Sequence, residues 1–315
     1  MNKIKALLWR EAIEHKSGMI IAPIIILALM TAMTVGTFLF GLGDIDFLNR
    51  DHGSNFGGLL NSLAEMDAPL RAGAVILFLS TMTMPALMAL PIIIFFILLG
   101  ALYEERRDRS FLFWKSMPVS DTAEVMTKLA GALLLAPALF IAISIVFQLL
   151  LLLLVSLIGA VEGGPVRAIW PLGAIVLNWL YTPFYMLFWA LWALPIYAWV
   201  LLAGSFAPRA PFMFALVPPV VLGVIEKVLF DSYYLARWVG QHFAASPMME
   251  AIVGSSFAKK AGAMTDSDMP AFVRFLSAPD FAPLFQSLAQ ADLWLGLVIS
   301  AAFIYGAIWF RRYSI

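Results

Sequence analysis

The longest run of charged residues in the 315-residue sequence covers residues 104–109, and its residue types allow two kinds of chemistry. Two neighbouring carboxylates, Glu104 and Glu105, could help to activate water if ligands from other helices joined them. The run also leads directly into Phe-Leu-Phe-Trp at residues 111–114. Aromatic and arginine side chains are the usual energetic centres of protein–protein contacts. The run is therefore the first candidate site, either for hydrolysis or for docking.

The hydrolytic interpretation requires histidines at fixed positions. Residues 104–109 match the Glu-Glu-x-x-x-Arg pattern of CAAX-type intramembrane proteases, whose partner motifs are Phe-x-x-x-His and His-x-x-x-Asn/Asp. The three histidines of the chain, His15, His52 and His242, have neither a phenylalanine four residues before them nor an Asn or Asp four residues after them. The sequence therefore disfavours a protease. We also find no Walker A pattern and no cysteine, and we expect no catalytic site, metal or cofactor within this chain.

A second candidate site is formed by Glu226 and Lys227, which fall in the outer half of an apolar stretch. Ionisable residues inside a membrane usually face a cavity or a partner, which suggests a gate or a substrate contact. The alternative is a locally satisfied pair, because Asp231 follows Lys227 by one helical turn. Uncharged polar residues are weaker candidates that we expect to bond between helices: Gln148, Asn178, Tyr181 and Tyr185. Tryptophans near the ends of apolar stretches are interpreted as membrane-interface anchors: Trp170, Trp179, Trp294 and Trp309.

The elements that position these residues are predicted to be membrane-spanning helices. Hydrophobic residues make up 62% of the chain and charged residues 13%, whereas globular domains have about 45–50% and about 25%. A membrane helix needs roughly 20 apolar residues. Six stretches fulfil this condition, at about 19–42, 72–102, 125–159, 172–204, 211–230 and 291–310. We predict an all-α integral membrane protein, a single domain over residues 1–315, with an amphipathic interfacial helix at residues 1–17 before the first span.

The distribution of lysine and arginine predicts the orientation of these helices. With the N-terminus in the cytoplasm, cytoplasmic segments hold twelve of the 20 basic residues but only seven of the 20 acidic residues. Both termini are then cytoplasmic, and so is the loop at residues 103–121. The net charge of zero gives no reason to expect nucleic-acid binding.

Two further features concern packing. Prolines interrupt several spans, and we expect neighbouring helices to satisfy the carbonyl groups that the prolines free. The long outer segment at residues 231–290 is rich in aromatic residues, and we expect short helices that lie on the outer membrane interface. The alternative for this segment is a loose connector.

The layout resembles the permease subunits of ABC-2-type exporters, which have six spans, an N-terminal interfacial helix and a short coupling helix between spans two and three. The resemblance is carried mainly by residues 105–120, Glu-Arg-Arg-Asp-Arg-Ser-Phe-Leu-Phe-Trp-Lys-Ser-Met-Pro-Val-Ser, and by Lys128 after them. Leu194-Pro195, Pro218-Pro219 and Glu226 are also similar to bacterial members. One departure is Arg109-Ser110, where the family often has Gly-Thr.

The resemblance implies a mechanism that depends on other subunits. Phe111 and Trp114 would fill an apolar groove of a separate ABC ATPase subunit, which binds ATP and Mg. Three charged residues of the coupling loop would pair with charges of that groove: Glu105, Arg106 and Arg109. Pro118 belongs to the same loop motif. A second copy of the chain or a related permease would complete the path through the membrane lipids.

The resemblance places the protein in the bacterial plasma (inner) membrane. Two other functions remain open from the sequence. An ion-coupled secondary transporter would need charged residues deep in several spans. A non-transporting membrane anchor could use the same loop to hold a cytoplasmic complex.

Overall fold

The computed structural model describes residues 3–40, 56–109, 119–244 and 276–313, and within these ranges every regular element is helical. The α-helices, in chain order, are α1 (Lys3–Glu14), α2 (Ala22–Phe40), α3 (Phe56–Glu65), α4 (Ala68–Arg107), α5 (Asp121–Ala130), α6 (Ala136–Val161), α7 (Leu172–Phe206), α8 (Pro211–Phe230), α9 (Tyr234–Ala244), α10 (Ala282–Gln286) and α11 (Ala291–Tyr313). Short π-helical turns precede α2 and α6, at Ser17–Ile21 and Gly131–Leu135.

Six helical segments of the described residues are long and apolar enough to cross a membrane. They are Ser17–Gly36, Ala68–Arg107, Asp121–Val161, Val166–Phe206, Pro211–Phe230 and Ala291–Tyr313. The prediction of an all-α membrane protein with six spans is confirmed. The second, third and fourth segments are longer than predicted. A helix of 40 residues such as α4 is about 60 Å long, twice the roughly 30 Å hydrocarbon thickness of a bilayer, so these helices tilt or project beyond it.

Both π-helical turns lie directly before a proline. Pro23 and Pro137 lack the N–H group that would continue the helical hydrogen-bond ladder. The preceding residues compensate with a wider turn, in which the N–H of Ala22 donates to the carbonyl of Ser17 and the N–H of Ala136 to that of Gly131. Such single π-turns relieve the clash around a proline without ending the helix.

A neighbouring helix satisfies a carbonyl that a proline frees. Pro219 cannot donate to the carbonyl of Ala215 four residues earlier. The indole Nε1 of Trp199, on α7, donates to that oxygen at 2.8 Å. The expectation that other helices compensate for the prolines is confirmed at this position, and it explains why α8 continues unbroken through Pro218 and Pro219.

Helix α7 is the centre of the bundle and packs most extensively against α11 and α4. Its buried side chains include Trp192, Tyr197 and Leu201, each fully enclosed. Near its C-terminal end α7 approaches the backbone of α4 so closely that a Cβ atom on Gly204 would lie 2.6 Å from the carbonyl oxygen of Leu99. Only glycine fits there, because the obstructing atom belongs to a helix backbone that cannot rotate away.

We expect Gly204→Ala to lower the free energy of unfolding by about 1–3 kcal/mol, because α4 and α7 must move apart to admit the methyl group. The matched control is Gly223→Ala on α8, where a Cβ atom meets nothing within 4 Å. Denaturation of both variants in detergent, followed by circular dichroism, tests this. Equal stabilities of the two variants would contradict the close approach of α4 and α7.

The outer segment packs against the bundle wherever the structure describes it. His242 on α9 is fully buried, and its ring centroid lies 5.4 Å from that of Trp192 on α7. Its Nδ1 donates to the carbonyl oxygen of Trp238 at 2.9 Å. Phe281, directly before α10, makes an edge-to-face contact with Tyr181 of α7 at a centroid distance of 5.1 Å. Phe285, within α10, makes the same kind of contact with Phe188 of α7 at 5.5 Å. Short helices are present as predicted. However, α9 and α10 contact α7 instead of lying only on an outer interface. Their aromatic side chains bury apolar surface against α7.

Candidate functional site

Charged side chains from four helices meet at the end of the bundle that carries both described chain ends, which we call the base. The base is formed by α1, the C-terminal end of α4, the N-terminal end of α5 and the C-terminal end of α11. Six residues form what we call the charge cluster: Arg10, Glu11, Glu105, Glu124, Lys128 and Arg311. Three cations face three carboxylates, so the cluster is electrically balanced.

Glu105 joins three helices within the charge cluster. Its carboxylate accepts from Arg311 Nη1 at 2.5 Å and forms an ion pair with Lys128 Nζ at 2.8 Å. The side chain is only 6% exposed. The last turn of α4, which extends to Arg107 and so includes the first residues of the predicted loop at 103–121, is therefore fixed to α5 and α11. Both contacts are charge-assisted and are stronger than neutral hydrogen bonds.

Lys128 is the most deeply enclosed cation of the charge cluster, with 1% of its side chain exposed. Its ammonium group donates to Glu11 Oε1 at 3.4 Å in addition to its pair with Glu105. A buried ammonium group is costly unless opposite charges surround it. Lys128 therefore connects α5 to both α1 and α4, and the stability of the base depends on its two carboxylate partners.

Arg10 attaches α1 to the same cluster. Its Nη2 donates to Glu11 Oε1 at 2.7 Å and also to the carboxylate of Glu124 on α5. Burial alone lowers the pKa of the Arg10 guanidinium, but the hydrogen bonds and negative charges of Glu124 and Glu11 outweigh it and raise that pKa above its ordinary value. Arg10 consequently remains charged at every physiological pH, and the helix predicted to be interfacial is bound to the bundle through ion pairs.

Two contacts stabilise the N-terminal end of α5. Ser120 is its N-cap and accepts from the N–H of Ala123 at 3.2 Å, so the serine of the Met-Pro-Val-Ser motif has a structural role. Asp121 in the first turn lies 3.3 Å from Arg311 Nε, at the rim of the charge cluster. Helix α5 therefore begins at a capped end that is also held by an ion pair.

Arg106 makes a contact within its own chain that the sequence did not indicate. Its Nη2 donates to the carbonyl oxygens of Gly204 at 3.1 Å and Ala207 at 2.6 Å. These are carbonyls at the C-terminal end of α7, which have no partner within the helix and are favoured by a cation. In this structure Arg106 therefore caps α7, and Glu105 is likewise occupied by side chains of its own chain. The pairing with an ATPase subunit that the resemblance implies for Arg106 stays a prediction.

Arg109, two residues beyond the C-terminal end of α4, has an unusual backbone conformation. Its φ angle is +57°, in the left-handed region that favours glycine. Helices commonly end with one such residue, usually glycine. This is the position at which the resembled family often has glycine, so the departure at Arg109 places a charged side chain on a backbone that glycine would adopt more easily. Phe111, Trp114 and Pro118 lie outside the described residues.

Glu226 and Lys227 are held by local partners. Lys227 forms an ion pair with Asp231, as the spacing of four residues predicts. The carboxylate of Glu226 accepts from Ser232 Oγ and from two backbone N–H groups at the start of α9, those of Tyr234 at 2.6 Å and Leu235 at 2.9 Å. This is the geometry of a helix cap, with a carboxylate at the positive end of the helix. Glu226 joins α8 to α9, and Lys227 pairs with the residue that caps its own helix, in agreement with the alternative to a gate.

Gln148 is the centre of a polar group inside the bundle, and the sequence predicted only some of its hydrogen bonds. Gln148 bonds between helices as expected, because its Nε2 donates to Thr83 Oγ1 at 3.3 Å. Trp179, interpreted from the sequence as an interface anchor, instead donates its Nε1 to Gln148 Oε1 at 2.7 Å. The sequence signal was present, since a glutamine in the middle of an apolar span requires partners.

The sequence did not predict that the six residues of the charge cluster meet at one site. Glu124 and Lys128 are spaced by one helical turn on α5, and Lys128 lies within the third predicted span, which was the available signal of a buried ion pair. Their partners on α1, α4 and α11 are far away in the sequence, and only the folded bundle brings them together.

Comparisons with protein-family models, with curated proteins and with solved structures give no match to this chain.

Proposed function

We propose that the chain is the membrane-spanning permease subunit of an ATP-driven exporter of the ABC-2 type. A separate ATPase subunit would bind residues 110–118 from the cytoplasm and hydrolyse ATP with Mg. A second copy of the chain, or a related permease, would complete the translocation path in a bacterial plasma membrane. The sequence pattern at residues 105–120 suggests the family, and the charge cluster supplies the physical argument for coupling.

The observation that carries the proposal is the attachment of both ends of residues 110–118 to one ion-pair network. Glu105, four residues before Arg109, and Lys128, eight residues after Ser120, contact one another directly. The same network includes α1 through Glu11 and α11 through Arg311. Breaking a buried ion pair costs about 3–5 kcal/mol, so a load applied to the loop moves these four elements together. A loop that transmits work from another subunit needs this stiffness at its base.

Three other functions receive less support. An ion-coupled transporter needs ionisable groups at mid-membrane, but the sequence has no Asp, Glu, Lys, Arg or His between Arg71 and Glu104 or from residue 129 to residue 161. An intramembrane protease needs Glu105 at its metal, whereas this carboxylate is bound by Lys128 and Arg311. A passive anchor would not need a buried connection from the loop to α11, although it could use the same loop.

Purification of the tagged chain from its native membranes tests the proposal. We expect a stoichiometric Walker A ATPase to copurify and to hydrolyse Mg-ATP, with hydrolysis changing when the complex moves from detergent into lipid vesicles. A purified chain without any ATPase, or an ATPase whose rate does not respond to the membrane environment, would refute the exporter assignment. The second result would instead favour the passive anchor.

A further inference from the structure

Two neighbouring cavities lie in the bundle, away from the charge cluster. The first lies between α4, α6 and α7, has a volume of about 150 Å³ and has both apolar and polar lining side chains, the latter including Thr83, Ser144, Gln148 and Asn178. The second has a volume of about 390 Å³ and is lined by apolar side chains of the π-helical turn before α6, of α6 and of α7, including Leu134, Ala138 and Leu187. The polar cavity and the apolar groove are adjacent, because Ile141 and Ile145 line both.

The polar cavity contains hydrogen-bonding capacity that the described residues do not use. Ser144 is 6% exposed, and its hydroxyl has no hydrogen-bond partner in the part of the chain that the structure describes. Gln148 accepts from Trp179 and donates to Thr83, which leaves its amide able to donate one more bond and to accept one more. A buried polar group without a partner is destabilising by about 1–3 kcal/mol, and such groups therefore indicate a missing partner.

The chemistry of the missing partner follows from the two linings. Among the described residues, no charged side chain lines either cavity, so a charged group would be buried there without a described counter-charge. The apolar groove opens towards the lipid-facing surface, where Leu134 and Leu187 are about half exposed. Its volume falls within the range of about 300–1,000 Å³ that is usual for ligand sites. A hydrocarbon chain matches the groove, and a neutral hydroxyl or amide group matches the polar cavity.

We propose that the cavity between α4, α6 and α7 is a binding site for an uncharged amphiphile, whose hydroxyl or amide group bonds to Ser144 and Gln148 and whose hydrocarbon chain lies along α6 and α7. The site is argued from these side chains alone, so it does not depend on the proposed function. If the chain is an exporter subunit, the same chemistry defines a substrate class, namely neutral hydroxyl- or amide-bearing lipids and related compounds.

Photolabelling of the purified full-length chain tests the site. The probes are a long-chain alcohol that carries a diazirine in its chain, the corresponding carboxylic acid at a pH where it is ionised, and the corresponding alkane. We expect the alcohol to label α6 and α7 about fivefold more than the other two, since one neutral hydrogen bond changes affinity by about that factor. Equal labelling by alcohol and alkane would overturn the proposal, because it would show lipid contact or a water-filled cavity only.

Three variants sharpen this test. Ser144→Ala is expected to lower labelling by the alcohol about fivefold without lowering stability, because its hydroxyl has no partner to lose. Ala138→Trp fills the groove from its exposed side and is expected to abolish labelling. The matched control is Ser156→Ala on the same helix, whose hydroxyl accepts from Trp170 outside both cavities. Unchanged labelling of Ser144→Ala would overturn the assignment of the polar group.

The source of the ligand is distinguished by extracting the purified chain before any probe is added. A hydroxyl- or amide-bearing lipid retained at about one per chain, and lost from Ala138→Trp, identifies a bilayer lipid as the occupant. An unoccupied wild-type chain that nevertheless binds the alcohol probe identifies an externally supplied compound. Labelling is measured without any ATPase, so failure of the ATPase copurification would refute the proposed function and leave the binding site standing.

Discussion

Lys128→Met is expected to lower the free energy of unfolding by about 3–5 kcal/mol, because it removes one partner of a buried ion pair. Lys128 is the buried cation between Glu11 and Glu105, and methionine fills a similar volume without a charge. The charge cluster would then hold three carboxylates and two cations. Reversible titration of the chain with a denaturing detergent in mixed micelles measures the effect.

The matched control is the same substitution in an exposed ion pair. Lys227 is 40% exposed and pairs with Asp231, which is 88% exposed, so solvent screens the interaction. We expect Lys227→Met to leave the unfolding transition nearly unchanged. Similar transitions for Lys128→Met and Lys227→Met would contradict the buried charge cluster.

A double variant separates lost pairing from lost packing. In Lys128→Met with Glu11→Gln, the remaining charges can form two complete pairs, Arg10 with Glu124 and Arg311 with Glu105. We expect the double variant to recover at least half of the lost stability, because removing an unpaired buried charge relieves its desolvation penalty. No recovery would show that the lysine acts through packing alone.

Trp114→Ala is expected to weaken binding of the proposed ATPase subunit about 30-fold or more. This estimate corresponds to about 2 kcal/mol, the usual minimum for a tryptophan at the centre of an interface. Dissociation constants of the chain for its copurified ATPase, measured by interferometry in detergent, give the comparison. Trp294→Ala is the matched control, since Trp294 is exposed near the start of α11, at the opposite end from Arg311. Equal binding by the two variants would remove residues 110–118 as the docking element.

Arg109 lies directly before residues 110–118, and its charge can be tested separately from its backbone conformation. Arg109→Glu reverses the charge and is expected to weaken ATPase binding at least tenfold through repulsion, with a strong dependence on salt. Arg109→Gly removes the charge but suits the left-handed backbone at φ +57°. We expect the glycine variant to bind with an intermediate affinity and to be no less stable than the wild type. Full binding by Arg109→Glu would show that the guanidinium takes no part in docking.

The hydrophobic pattern predicted the helical elements well because a membrane span needs a long uninterrupted apolar stretch. All six predicted spans correspond to helical segments of the structure. Their ends were predicted less well. The third segment begins at Asp121 instead of about residue 125, since Ser120 caps a helix whose first turns are polar. Hydropathy does not detect a polar helical extension, whereas a serine followed by acidic residues in the first turn is a signal that could have located it.

Charged residues were harder to place because sequence position does not reveal their partners. Lys227 and Asp231 were paired correctly, since both lie on one helical face. The coupling-loop motif implies that Glu105 and Arg106 pair with another subunit, which stays a prediction. The fold adds contacts within the chain that the sequence did not indicate, from Glu105 to Lys128 and Arg311 and from Arg106 to the C-terminal end of α7.

The sequence by itself determined that this protein is a bundle of six membrane helices, because the cost of exposing backbone polar groups to lipid leaves few alternatives for stretches this apolar. It also determined the position of the charged run at residues 104–109. Only the tertiary structure decided which of those charges are buried. Whether a carboxylate such as Glu105 faces a partner or its own bundle depends on cations from α5 and α11, and helix packing alone brings these to within 3 Å.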